Sequence, residues 1–348
     1  MRIAQVAPLY ESVPPKLYGG TERIVSYLTD ELVRQGHQVT LFASGDSVTN
    51  ARLVSPCHRA LRLDRQCIDP LAHHITMLEL VRQESHQFDI IHFHIDYLHF
   101  LLFHQIKQKT LTTLHGRLDI PDLVPLYKQF SDMPLTSISF SQREPLPWLH
   151  WVGNVYHGIP AGHYTFREEP GEYLAFIGRI SPEKRVDRAI AIAQEVEAPI
   201  RIAAKVDKVD HAYFEATIKP LLRHPLVDYI GEIGEGEKDK FLGKAKALLF
   251  PIDWPEPFGL VMIEALACGT PVIAYHRGSV PEVLEQGVVG FIVQDFNEAV
   301  NAVQKIGDLK RAACRKFFEE RFTAENMTKE YVSLYSSLLH LGPHLEAA

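Results

Sequence analysis

The sequence predicts an α/β protein carrying two doubly wound parallel sheets. Two observations lead there. Short apolar runs alternate along nearly the whole chain with segments of helical periodicity, the βαβ rhythm of a parallel sheet. That rhythm weakens near His157-Gly158-Ile159-Pro160 and then restarts. A chain of 348 residues also has room for about two domains at roughly 150 residues each.

The elements follow in order. Residues 3–7 read as a strand, and residues 21–35 as a helix with Ile24, Val25, Leu28, Leu32 and Val33 on one face. Gly36 stops that helix, and residues 38–43 form the next strand. Residues 89–93 and 110–114 are buried strands around a helix expected from Tyr97. In the second half the expected strands are 173–177, 200–204, 227–230, 247–250, 271–275 and 290–293, with helices between them. The predicted hinge lies near residues 157–170. Residues 1–160 hold twelve of the eighteen histidines, so the halves differ in chemistry and are not a simple duplication. Open α/β sheets bind ligands beyond the carboxyl ends of their strands, and two such sheets facing each other would place those ends across one cleft.

Composition narrows the function. Apolar residues at 46% and charged residues at 23% suit a folded soluble chain. A net charge of −7 opposes nucleic acid as the main partner, since phosphate binders carry the other sign. The most apolar early stretch, residues 90–103, is interrupted by His92, His94, Asp96 and His99, so no membrane span is expected. The first residues, MRIAQVAPLY, do not read as a signal peptide. Cys57, Cys67, Cys268 and Cys314 form no CxxC and are expected as free thiols in a reducing, cytoplasmic setting.

The strongest chemical signal is DWPEPFGLVMIEALACGTPVIA, residues 253–274. Pro255 and Pro257 hold Glu256 in a stiff extended segment. Phe258-Gly259 then opens a helix to about Ala267, whose free amides favour an anion. Glu256 stands before that N-terminus and Glu264 about one and a half turns inside. One carboxylate can hold a hydroxylated group near phosphates and the other can reach a ribose. The alternative is a capped core helix with Glu264 on its wet face.

Three further signals are weaker. In FIGRISPEKR, residues 176–185, Arg179 and Lys184 flank a strand-to-helix turn, an arrangement suited to a diphosphate or to a solvated basic turn. Leu17-Tyr18-Gly19-Gly20-Thr21-Glu22-Arg23 puts two glycines before a helix, where backbone can approach a ligand, but it is not GxGxxG. In Thr112-Thr113-Leu114-His115-Gly116 a histidine ends a buried strand and is placed to face a cleft.

Other clusters carry less. His92 and His94 share a strand face but lack a third ligand, so no metal is expected. His73, His74, His99 and His104 are expected on a helix surface or cleft rim. Arg52, Arg59, Arg62 and Arg65 with His58 form a basic segment that reads as a solvated face. An acidic acceptor or an anionic lipid surface is the alternative for it.

Taken in order, GGTER, RQGHQVTLFA, FDIIHFH, TLHG, YHGIP, GRISPEK, EPFGLVMIEALACGTPVIA and GSVPEVLEQGVVGFIV resemble the family 4 retaining glycosyltransferases of the GT-B fold, over nearly the whole chain. The resemblance implies two Rossmann-like domains facing a central cleft. Residues 1–160 with 325–348 would form the acceptor side, and 161–324 the nucleotide-sugar side. It implies that Glu256 holds donor-sugar hydroxyls and that Glu264 binds the ribose. The amides of Phe258, Gly259 and Leu260 would meet the sugar or distal phosphate, and Arg179 and Lys184 the diphosphate. Gly19 and Gly20 would pack on the phosphate side and His115 on the sugar near the reacting carbon. Gly231, Glu232 and Ile233 would read the base. Lys205 stands where many relatives have glycine, and is taken here as a further group near the nucleotide. No cofactor and no metal are implied.

The expected activity is therefore transfer of a hexose from a nucleotide diphospho-sugar to an acceptor hydroxyl with retention. UDP-glucose or another UDP-sugar is favoured over GDP-mannose, and the acceptor is a glycan, a lipid-linked sugar or a small molecule. A sugar-nucleotide 2-epimerase of the same fold, or a silent sugar-nucleotide or glycan-binding protein, are the alternatives. Membrane contact would be peripheral at most.

Overall fold

A computed structural model of the chain describes residues 1–16 and 19–341. The chain folds as two compact units. One comprises Met1–Gly158 together with the chain from Ala324 onward, and the other Ile159–Thr323.

The first unit contains β1 (Arg2–Val6), β2 (Gln38–Phe42), β3 (Arg52–Val54), β4 (Ile90–Phe93), β5 (Thr110–Thr113), β6 (Leu135–Ser137) and β7 (Trp151–Asn154). They form one sheet in the order β3-β2-β1-β4-β5-β6-β7, every neighbouring pair parallel. The central strands β4 and β5 are buried at every residue, as strands covered on both faces must be. Helix Gly20–Arg34 buries Ile24, Val25, Leu28 and Leu32 of the expected stripe and leaves Val33 half-buried.

The last helix, Ala324–Leu341, returns to this first unit. It drives two tyrosines, Tyr331 and Tyr335, completely into the interior. A buried phenol needs a partner. Tyr331 meets Thr113 at 2.9 Å and Tyr335 meets His92 at 2.7 Å.

The second unit contains β8 (Tyr173–Arg179), β9 (Ile200–Lys205), β10 (Val227–Gly231), β11 (Ala245–Phe250), β12 (Val272–Tyr275) and β13 (Gly290–Val293). Their order is β10-β9-β8-β11-β12-β13, again all parallel. A core of Leu174, Phe176, Ile190, Ile202, Leu249 and Ile273 joins the sheet to helix Val186–Glu195. In both units the strand order reverses beside the first strand, at β1/β4 and at β8/β11. This is where open α/β sheets create a ligand crevice.

Some of the remaining expectations are corrected and others hold. The helix expected from Tyr97 is two short turns, Phe100–Phe103 and His104–Lys109. His99 is not a rim residue: it is buried, its ring stacked 3.7 Å from Phe93 and its Nε2 bonded to Thr112. His74 is also buried, with Nε2 accepting from the Leu9 amide at 3.2 Å. His104 lies at the surface beside Asp132. In the basic segment Arg52 pairs with Glu84, and Arg62 with Glu11. The four cysteines are free; burial pushes the thiols of Cys268 and Cys314 up to about 12, which makes them poor nucleophiles. Among the described residues no helix is long and apolar enough to cross a membrane.

Candidate active site

The carboxyl ends of four adjacent strands of the second unit gather the polar residues singled out above. β8 ends at Arg179, and its register partner on β9 is Lys205. β10 ends at Gly231, with Glu232 and Ile233 leading on to helix Glu235–Gly243. β11 ends at Phe250 and runs into the loop that carries Glu256. Helix Leu260–Ala267 follows that loop, starting from Gly259.

Local chemistry explains why this loop holds its shape. Gly259 has φ +77°, a left-handed conformation that side chains resist, and a Cβ there would come within 2.9 Å of Met262 and 3.0 Å of Phe250. Phe258 is buried and its carbonyl accepts from the Ser279 hydroxyl at 2.9 Å. The Ser279 amide donates to the Glu256 carbonyl at 3.0 Å. Gly278, at φ +51°, lies against the Glu256 backbone so closely that a Cβ would sit 2.4 Å from both its nitrogen and its oxygen. Asp253 completes the loop's anchorage. It is approached by Arg185 and Arg188 at 3.2 Å and by Arg277 at 3.3 Å.

The two cations of the diphosphate proposal are held by carboxylates. Arg179 bonds Glu183 at 2.5 Å and lies 3.5 Å from Asp210 and 3.8 Å from Asp207. Lys205 pairs with Asp207 at 3.1 Å. Burial pushes the Glu183 carboxyl up, but its own amide and Arg179 more than offset that and leave it low. Lys184 pairs with Glu256, and its ammonium also lies over the Trp254 ring, 5.0 Å from the centroid. The Trp254 indole donates to the same Glu256 oxygen at 3.0 Å. Glu256 is thus aimed by two donors. Glu264 does not sit on a wet face; it is buried and accepts from Lys238 at 2.9 Å.

In the first unit His115 follows β5 and Gly19 precedes helix Gly20–Arg34, as expected. Leu17 and Tyr18, the start of that glycine-rich turn, lie outside the described residues, as do residues 342–348. The His115 ring stacks on His157 at 5.2 Å and its Nε2 meets His94 Nδ1 at 2.9 Å. Burial holds the imidazole neutral, pushing its pKa down to about 3. His92 and His94 each have both ring nitrogens engaged by protein atoms. Among the described residues no cluster of three or more His, Cys, Asp or Glu side chains suits a metal.

The sequence reading missed Lys238, Asp253, Asp207, Asp210 and the Gly278-Ser279 buttress. Glu183, the Arg179 partner, was missed as well: it lies in the turn after β8, where helical spacing rules do not apply.

Two all-parallel, doubly wound units, one of which collects cations, two glutamates and a helix start at its strand ends, define a GT-B glycosyltransferase. The chain belongs to glycosyltransferase family 4: residues 18–207 match the model "Glycosyltransferase Family 4", and residues 165–319 match "Glycosyl transferases group 1". It is 29% identical over 170 residues to an uncharacterized 41.2 kDa protein in the cps region of Klebsiella pneumoniae, covering 47% of this chain and 46% of that one. The chain thus spans about half the length of that relative. It is 26% identical to the N-acetyl-alpha-D-glucosaminyl L-malate synthase of Bacillus anthracis, over 76% of this chain and 78% of that one. Among solved structures, Anabaena Alr3699/HepE in complex with UDP superposes with a TM-score of 0.74 at 16% identity, over 97% of this chain and all of that one.

Proposed function

We propose that this protein is a retaining hexosyltransferase that uses a nucleotide diphospho-sugar, with UDP-sugars favoured, and needs no divalent metal. The observation that carries the reading is the convergence at the β8/β11 strand ends of Arg179, Lys184, Glu256 and the start of helix Leu260–Ala267. Breaking the bond between C1 and the diphosphate leaves positive charge on the sugar ring and negative charge on the leaving phosphate. Arg179, Lys184 and the helix amides stabilise that growing negative charge, a term usually large in catalysis. Glu256, aimed by Lys184 and Trp254, takes sugar hydroxyls, and Glu264 takes the ribose. Gly231, Glu232 and Ile233 lie at the strand end suited to the base, with Lys205 nearby. The leaving phosphate accepts the proton of the attacking hydroxyl on the same face, so no carboxylate nucleophile is required.

Residues 161–324 are the donor-binding part and 1–160 with 325–348 the acceptor part, with His115, Gly19 and Gly20 the first part's contacts to the donor. The UDP complex of the Anabaena neighbour supports a UDP-sugar. The malate product named for the Bacillus relative supports a small-molecule acceptor beside glycans and lipid-linked sugars. A cytoplasmic location with peripheral membrane contact at most, and no nucleic acid partner, fits the net charge of −7.

A panel of nucleotide sugars in thermal unfolding tests the reading. A ligand at about 100 times its Kd adds roughly 2.7 kcal/mol of stability. UDP-glucose should raise Tm and support transfer; a panel with no stabilising member rejects the proposal.

A further inference from the structure

Seven side chains of the first unit form one hydrogen-bonded chain that ends on His115. Gln5 comes from β1, His92 and His94 from β4 and its exit, Thr113 and His115 from β5 and its exit, and Tyr331 and Tyr335 from helix Ala324–Leu341. The Gln5 amide sits in the middle. Its oxygen faces His94 Nε2 at 2.8 Å and its nitrogen donates to the Tyr335 hydroxyl at 3.1 Å.

An amide oxygen only accepts, so the His94 proton is on Nε2. His94 is neutral, so its Nδ1 is a bare lone pair. The His115 Nε2–H donates to that lone pair across 2.9 Å. His115 then has no proton on Nδ1. That atom is buried and has no hydrogen-bond partner among the described residues. In the other direction Tyr335 donates to His92 Nδ1 at 2.7 Å, and His92 Nε2–H donates to Thr113 at 2.7 Å. Thr113 then donates to Tyr331 at 2.9 Å.

The Gln5 amide sets the sense of the whole chain. Turned over, it would reverse every bond and leave His115 with a buried, unpaired N–H. The observed sense leaves a bare lone pair, and orphaned buried N–H groups are the rarer defect in proteins.

We propose that Gln5 and His94 are positioning residues that fix the His115 proton on Nε2, so that Nδ1 is offered as an acceptor to a hydroxyl of the bound sugar nucleotide. This rests on the reading of His115 as a sugar contact. An anionic oxygen would be repelled from the same lone pair, so the arrangement selects a hydroxyl over a phosphate at this point.

Nitrogen NMR of the full chain with labelled histidine reads the tautomer directly, with His115 assigned by His115→Gln. The expected spectrum has a pyridine-type Nδ1 and a pyrrole-type Nε2. UDP-glucose should shift the Nδ1 resonance and UDP alone should not. Gln5→Leu should let the tautomers mix and should lower kcat more than it raises KM, while Gln5→Glu, which only accepts, should keep the Nε2–H form. A proton on Nδ1 in the unaltered protein overturns the proposal, and so does a folded Gln5→Leu with an unchanged tautomer. Equal shifts with UDP and UDP-glucose overturn the hydroxyl contact. Apart from the assigning variant His115→Gln, the free-protein spectrum needs no folded substitution, and through-bond correlation to the labelled backbone assigns His115 without it. A protein with the Nε2–H form that transfers no sugar would instead reject the transferase reading.

Discussion

Lys238 donates to Glu264 at 2.9 Å and so pairs the buried glutamate of helix Leu260–Ala267. The pair gives Glu264 Oε1 a fixed direction, and in the proposed function the carboxylate takes the ribose. Glu256, by contrast, is aimed by Lys184 and Trp254 from the loop before the helix. The two carboxylates should therefore fail differently. Glu264→Gln should weaken binding of the nucleoside diphosphate, since a charged hydrogen bond contributes about 1.5–3 kcal/mol. Glu256→Gln should impair transfer and leave that binding near normal. Titration calorimetry beside turnover separates them; equal weakening of the bare nucleotide by both variants removes the division of labour.

Arg179→Ala and Lys184→Ala should each reduce turnover by roughly 10²-fold or more, because in the proposed function each cation meets charge that grows as the bond to C1 breaks. Initial rates with saturating donor provide the check. Wild-type turnover in both variants would take these residues out of the site.

Gly278→Ala should be costly although the glycine carries no chemistry. Its Cβ would fall 2.4 Å from the Glu256 backbone at a positive φ. The Glu256 segment must move, and stability should drop by about 1–3 kcal/mol. Urea unfolding measures the loss and turnover should fall with it. A neutral Gly278→Ala would mean that the segment shifts freely.

Transfer should persist in excess EDTA. In the proposed site cations and helix amides would meet the diphosphate, and His92 and His94 spend both ring nitrogens on protein partners. Activity abolished by EDTA and restored by a divalent ion would contradict this.

Stability should fall with mild acid. Burial holds His92, His94, His99 and His157 well below the ordinary imidazole value, and His115 at about 3. The unfolded chain takes up protons near pH 6.5 and the folded chain does not. Folding stability is then full above about pH 6.5 and is lost as pH falls toward the folded values. The slope approaches roughly 1.4 kcal/mol per pH unit for each histidine fully engaged. Urea midpoints between pH 7.5 and 5.5 test it, and a flat profile would mean that these rings protonate within the fold.

Much of this architecture was legible because long apolar runs report burial directly. β13 was placed at its observed bounds, and helix Gly20–Arg34 within a residue at each end. β3, β6 and β7 were not found: β3 and β6 have three residues each, and β7 is only half-buried, so their apolar signal is slight. In the candidate site the motif residues were legible, but their partners were not. Lys238 reaches Glu264 across 26 positions and Gly278 backs Glu256 from 22 positions on, separations at which sequence spacing says nothing. The histidines misled for a related reason. His74 and His99 look like surface groups until Leu9 and Thr112 supply their hydrogen bonds.

Tyr331 and Tyr335 also impose an order of events on the ribosome. N-terminal domains commonly fold first as they emerge, but here residues 1–158 leave His92 and Thr113 without the phenols that complete their hydrogen bonds. Those phenols are made only after the entire second unit has been translated. The first unit to emerge is therefore the last to complete its buried hydrogen bonds.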